Sequence, residues 1–192
     1  MRTRIATTVA VLLTVTVLGV DLAAQGPQGG RGGGRGRGGG FALAPLLMET
    51  DAFPDGGIVP QKFAGRGGIQ PGFTFSNAPE GTVSYAIIFH DLDVALKNSP
   101  EDVLHWMVWN VPASAKGIPE GKLPDGAVQN RNYFGPGAPA GPRYHHYVFE
   151  LYALNANLEL TPMATREDLL AAMQGKVVAK AAYVGRYRTE AQ

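Results

Sequence analysis

The sequence predicts a mainly β domain, an antiparallel β-sandwich, and three observations predict it. From Phe41 onward, short runs of aromatic and β-branched residues alternate with Gly, Pro, Asn and Asp, the texture of strands and turns in an all-β domain. Helix signals are confined to one stretch late in the chain. At 192 residues with 45% hydrophobic side chains, there is apolar material for one ordinary core, so a single folded domain is expected.

The chain opens with Arg2 and Arg4, an apolar run over residues 5–20 interrupted by Thr7, Thr8, Thr14 and Thr16, and then Leu22-Ala23-Ala24. A basic start, a short apolar stretch and a small-residue cleavage site predict a cleaved secretory signal over residues 1–24. The run falls short of the roughly 20 residues a spanning helix needs, so an uncleaved anchor is the lesser alternative. Export implies a periplasmic or secreted protein, not integral to the membrane after cleavage. Residues 26–40 read GPQGGRGGGRGRGGG. Such composition buries almost nothing, and residues 25–40 are expected to be a Gly/Arg-rich disordered tether ahead of a domain over 41–192. The sequence contains no cysteine, which excludes disulfides, thiol nucleophiles and thiolate zinc sites.

Residues 41–192 carry 12 basic and 15 acidic side chains, a formal charge of −3. A slightly acidic domain lacks the electrostatic footprint of a nucleic-acid binder, and no nucleic-acid partner is expected. Strands are expected at 73–75, 83–90 (VSYAIIFH), 104–110 and 146–154. The run 83–89 and the pair Trp106 and Trp109 read as core. Thr165 followed three residues later by Asp168, and then by Leu169, Leu170 and Met173, predicts a capped short helix ended at Gly175. The closing stretch 176–188 suits a strand or a short helix.

Four segments of the strand-rich region carry chemistry: Asp91 and Asp93 in FHDLDVA, His105 in LHWMVWNVP, the turn Gly135-Pro136, and His145 with Tyr147 in GPRYHHYVF. On spacing alone the aspartates suit an Asx turn at a strand end as well as a site, and His105 alone suits a satisfied core or edge position. In a strand, His145 and Tyr147 share a face and His146 takes the other, so His146 is expected outward and incidental. The Gly/Pro-rich run 135–142 reads either as an ordinary long loop or as a rigid turn that approaches a ligand. Together, two imidazoles, a phenol and turn N–H groups can donate to a phosphate or carboxylate, while a neighbouring aspartate orients a histidine. Hydrolysis through a metal or an acid–base pair is a weaker reading, because no H-E-x-x-H, G-x-S-x-G, P-loop or G-x-G-x-x-G motif accompanies these residues. No enzyme activity, cofactor or metal is expected.

Several phrases in order resemble the phosphatidylethanolamine-binding protein family, in its bacterial Raf-kinase-inhibitor-like branch: AFPDGGIVP from Ala52, NAPEGTVSYAIIFHDLD from Asn77, LHWMVWNVPAS from Leu104 and FGPGAPAGPRYHHYVFELYAL from Phe134. The sequence departs from the family pattern where Leu92 and Ala95 replace prolines, and where Phe75 replaces a tryptophan. The resemblance implies a Greek-key arrangement with a small anion pocket near one end, drawing on Asp91, Asp93, His105, Gly135, Pro136, His145 and Tyr147. It implies an anionic small molecule or phospholipid headgroup as ligand. Its alternative is an interaction module that inhibits a protease or another envelope protein, and a homodimer is left open.

Overall fold

The computed structural model describes residues 45–95 and 98–190; the expected leader and the Gly/Arg tether lie outside the described residues. In chain order the elements are β1 (Leu47–Glu49), β2 (Gly57–Ile58), β3 (Phe73–Ser76), β4 (Ser84–Asp91), β5 (Val103–Pro112), β6 (Gly117–Ile118), β7 (Val128–Gln129), β8 (His145–Leu154), α1 (Arg166–Met173) and β9 (Val177–Tyr187). They form a three-stranded sheet, β1-β3-β6, and a six-stranded sheet, β2-β9-β8-β4-β5-β7. The four strands expected from the sequence are β3, β4, β5 and β8, and the closing stretch is a strand, β9. The two-residue strands β2, β6 and β7 carry too little pattern to be read in advance.

Strand β4 holds the centre. All eight of its residues are buried, as a strand covered on both faces requires. One face, with Tyr85, Ile87 and Phe89, joins Met48, Phe73, Phe75 and Ile118 of the small sheet in one cluster. The other face, with Ala86 and Ile88, packs with Met107, Trp109, Leu154 and the helix residues Leu169 and Met173 in a second. Phe149 of β8 links the sheets: its ring stacks on Phe89 with centroids 3.9 Å apart and meets Phe73 of the small sheet at 4.8 Å.

The pairings are antiparallel apart from β2 and β9, which run parallel. No hairpin sets the direction of β2, because its partner lies more than a hundred residues away in sequence. Its course is imposed by the Asp55 side chain, which accepts from the Val184 N–H at 2.8 Å, and by bonds from Gly56 N to Val184 O and from Val59 N to Arg186 O. Helix α1 starts as its sequence dictates: Thr165 and Asp168 form a reciprocal capping box, and Gly175, at φ +73, ends the turn.

Phe149→Ala removes the ring that joins both sheets, and a loss of about 3–5 kcal/mol is expected. Urea unfolding checks this; a loss below about 1 kcal/mol would mean that the two sheets do not depend on the shared cluster.

Candidate functional site

The ends of β4, β5 and β8 and the loop 134–138 bring most of the expected residues together. Their placement begins with an irregularity. Between the pairs Phe89↔Trp106 and His90↔Leu104 the register of β4 and β5 shifts by one residue, so His105 is an extra residue on the bulged strand. A bulge turns two consecutive side chains toward one face. Trp106 therefore enters the core cluster, while the neighbouring His105 also turns inward, 5.3 Å from the rings of both Phe89 and Tyr147. On β8, regular alternation keeps His145 and Tyr147 on one face, with ring centroids 6.4 Å apart.

The buried imidazole of His105 stacks against Phe134, with centroids 4.8 Å apart and planes 4° from parallel. Its Nδ1 lies 2.9 Å from the Phe134 carbonyl oxygen. A carbonyl only accepts, so Nδ1 carries the proton and Nε2 is the free atom. Burial pushes the His105 pKa below its ordinary value, against a smaller upward pull from the Phe134 carbonyl and the Asp91 charge. At neutral pH this imidazole is uncharged.

Asp91, at the end of β4, uses both oxygens. Oδ1 accepts the Asp93 N–H at 2.9 Å, which is the Asx turn, and Oδ2 meets Nδ1 of His145 at 2.9 Å. The Asx turn is present, and the same side chain also contacts His145. Asp93 serves elsewhere: its Oδ2 accepts the backbone N–H of His146 at 2.6 Å and meets the His146 ring at 2.9 Å. Partial burial favours the neutral Asp93 carboxyl, but the His146 hydrogen bonds and charge outweigh it and pull the pKa below the usual value. His146 does point outward, with its side chain half exposed, yet it anchors the Asp93 turn. Burial, with the adjacent Asp91, pushes the Tyr147 phenol well up, so it stays protonated, and its oxygen accepts the Gly137 N–H at 3.2 Å.

Main-chain contact fixes the loop. Gly135 N donates to Gly65 O at 3.0 Å and Gly65 N to Pro136 O at 2.7 Å. A Cβ on Gly135 would overlap the carbonyl oxygen of Phe63, so only glycine allows this approach. Thr189 closes the far side, donating from N at 3.1 Å and from Oγ1 at 2.6 Å to Ala138 O. Sequence reading missed Phe134, whose carbonyl and ring orient His105, because a carbonyl acceptor leaves no trace in side-chain pattern. It also missed a group on the opposite face of the sheet. There buried His90 meets Asp102 at 2.5 Å, and Asp102 bonds Arg166 at the start of α1. Among the described residues no cluster of His, Asp and Glu is arranged to hold a metal ion.

Residues 49–188, which span every expected site residue from Asp91 to Tyr147, match the family described as Phosphatidylethanolamine-binding protein. The chain belongs to this family. A UPF0098 protein of Methanothermobacter thermautotrophicus is 38% identical over 156 residues, 74% of this chain and 99% of the relative. A Mycobacterium tuberculosis protein named as a lipoprotein, LppC, is 31% identical over 153 residues, 76% of this chain and 74% of that protein. A solved phosphatidylethanolamine-binding protein homolog, CT736 of Chlamydia trachomatis, is similar with a TM-score of 0.67 at 29% identity, covering 76% of this chain and 99% of its own. The mainly β architecture of two sheets and one short helix is therefore that of phosphatidylethanolamine-binding proteins. In this member, the Asp91 turn is built with all described peptide bonds trans.

Gly135→Ala forces the loop away from Phe63, and a stability loss of about 1–3 kcal/mol is expected. Thermal unfolding with unchanged midpoint would show that the loop is not held by this contact.

Proposed function

We propose that the domain is an exported, non-enzymatic binding protein for phosphate-bearing or similar anionic small molecules of the phospholipid-headgroup type. The observation that carries this reading is the pair of imidazoles on either side of Tyr147, each fixed through Nδ1, His105 by a carbonyl and His145 by a carboxylate. Fixing Nδ1 leaves both Nε2 atoms to meet a ligand, and the Tyr147 ring lies 5.3 Å from that of His105 and 6.4 Å from that of His145 with its hydroxyl protonated. Asp91 beside an anion site would repel the ligand if its charge were unmatched. Its contact with His145 occupies Oδ2 and orients the ring, leaving Nε2 without a partner on the protein. Both Asp91 oxygens being occupied fits holding a ligand in place rather than moving protons. The leader-like residues 1–24 and the lipoprotein name of the mycobacterial relative support export.

An NMR titration with glycerophosphoethanolamine tests the site. Saturable shifts at His105 and His145, with His90 and His146 unmoved, are expected, and His145→Ala should weaken binding about tenfold. Unchanged affinity in His145→Ala sinks the anion reading and moves a protein-interaction role to first place.

The lowered His105 pKa makes binding pH-dependent. The free site holds His105 neutral, and an anion at Nε2 favours the protonated ring, so binding takes up a proton and tightens as pH falls toward the lowered His105 pKa. The phosphodiester keeps its charge over this range, which isolates the histidine. Without ligand the sign for stability is opposite. The unfolded chain takes up the proton first, so stability is full above about 6.5 and declines as pH falls toward the folded value. Calorimetry at pH 7.5 and 5.5 in buffers of different ionisation enthalpy should show net uptake that His105→Asn abolishes; equal affinity at both pH values would rule out the coupling.

A further inference from the structure

At the candidate site's end of the six-stranded sheet, on the other face, lies a row of side chains that the anion reading leaves unused. The Leu92 N–H bonds the His146 carbonyl at 3.0 Å, His146 is the register partner of Arg186, and Arg186 is that of Ile58. Strands about 4.8 Å apart make this a line on the order of 14 Å long. Its two ends are aliphatic and exposed, Leu92 at 53% and Ile58 at 46%. Next to it, the Tyr144 ring lies under the guanidinium groups of Arg188 at 4.5 Å and Arg186 at 5.7 Å, and Arg143 beside it is exposed.

Among the described residues, none of these three arginines is ion-paired with a carboxylate. Arg186 Nε donates to Gly56 O at 2.7 Å and Arg188 Nη1 to Gly141 O at 2.9 Å, which fixes where the charges sit. Asp93 and Asp55, the carboxylates bonded within this edge, are engaged by His146 and by the Val184 N–H. A positive, aromatic and aliphatic patch therefore stands at the same end of the sheet as the candidate site but on the opposite face, the one His146 takes, on a folded part whose formal charge is −3.

We propose that this rim docks the protein on an anionic lipid bilayer. Arg143, Arg186 and Arg188 face the lipid phosphates, Tyr144 lies at headgroup level, and Leu92 and Ile58 reach the apolar boundary. A soluble polyanion would satisfy the arginines but has no use for two exposed aliphatic tips in the same row. The inference does not need the headgroup reading of the candidate site, which lies on the other face of the sheet.

Co-sedimentation of the full chain with phosphatidylcholine vesicles, with and without phosphatidylglycerol, tests it. The Gly/Arg segment is present in every sample, so differences between variants belong to the rim. The wild type is expected on anionic vesicles and not on neutral ones. Exchanging all three arginines for Gln should weaken that binding by roughly fivefold per arginine, and exchanging them for Lys should largely preserve it. Because Arg186 and Arg188 also hold main-chain carbonyls, Arg143→Gln with Leu92→Ser serves as a second variant and should lose at least the single-arginine factor. Glycerophosphoethanolamine affinity should stay unchanged in both. Equal vesicle binding across wild type and variants overturns the docking face, as does displacement by dextran sulfate with no effect of Leu92→Ser, which assigns the patch to a soluble polyanion. Rim-dependent vesicle binding in a protein that ignores glycerophosphoethanolamine supports the docking face and sinks the pocket reading instead.

Discussion

The bulge that inserts His105 into β5 is the constraint on which the candidate site depends. Strict alternation would send either His105 or Trp106 to the helix-covered face of the sheet. The extra residue lets Trp106 fill the core while His105 turns toward Tyr147. A polar group inside a hydrophobic cluster costs stability unless its hydrogen bonds are met. The Phe134 carbonyl meets one of them, and the other ring nitrogen remains as a reactive handle. Core and candidate site thus draw on adjacent residues of one strand.

Holding the Phe134 carbonyl in place requires the loop behind it to be rigid. Reciprocal main-chain bonds between Gly65 and the Gly135-Pro136 turn supply this, together with Thr189 on Ala138. The loop is stiffened at three points by groups far away in sequence, while its Gly and Pro residues lower the entropy lost on ordering or permit the close approach. Electrostatics then divides the labour between the histidines. His145 is tied through Nδ1 to a carboxylate, whereas burial lowers the His105 pKa and keeps that ring neutral at neutral pH.

Legibility in the sequence followed how local each cause was. The shared face of His145 and Tyr147 was readable because the first half of β8 alternates regularly, and the start of α1 was readable because a capping box is a contact between residues three apart. The core status of residues 84–89 and of Trp106 and Trp109 was readable from apolar content, whereas Val83, expected in the same run, precedes the strand and is 45% exposed. Asp93 was not: its carboxylate turns to His146 in place of the pocket, a choice made by the bond to the His146 main chain. The partnership of His90 with Asp102 and Arg166 was equally hidden, since it joins β4, the approach to β5 and the first turn of α1.

By itself, then, the sequence determined a mainly β domain with one late helix, its family, and the residue types available for an anion site. Hydrophobic periodicity, capping and turn chemistry act over a few residues and leave their mark directly in the chain. Tertiary structure alone decided the parallel course of β2, the bulge that aims His105, the carbonyl that selects its tautomer, and the row from Leu92 to Ile58. Each of these depends on register between strands separated by tens of residues or more, where main-chain groups common to every sequence make the contacts.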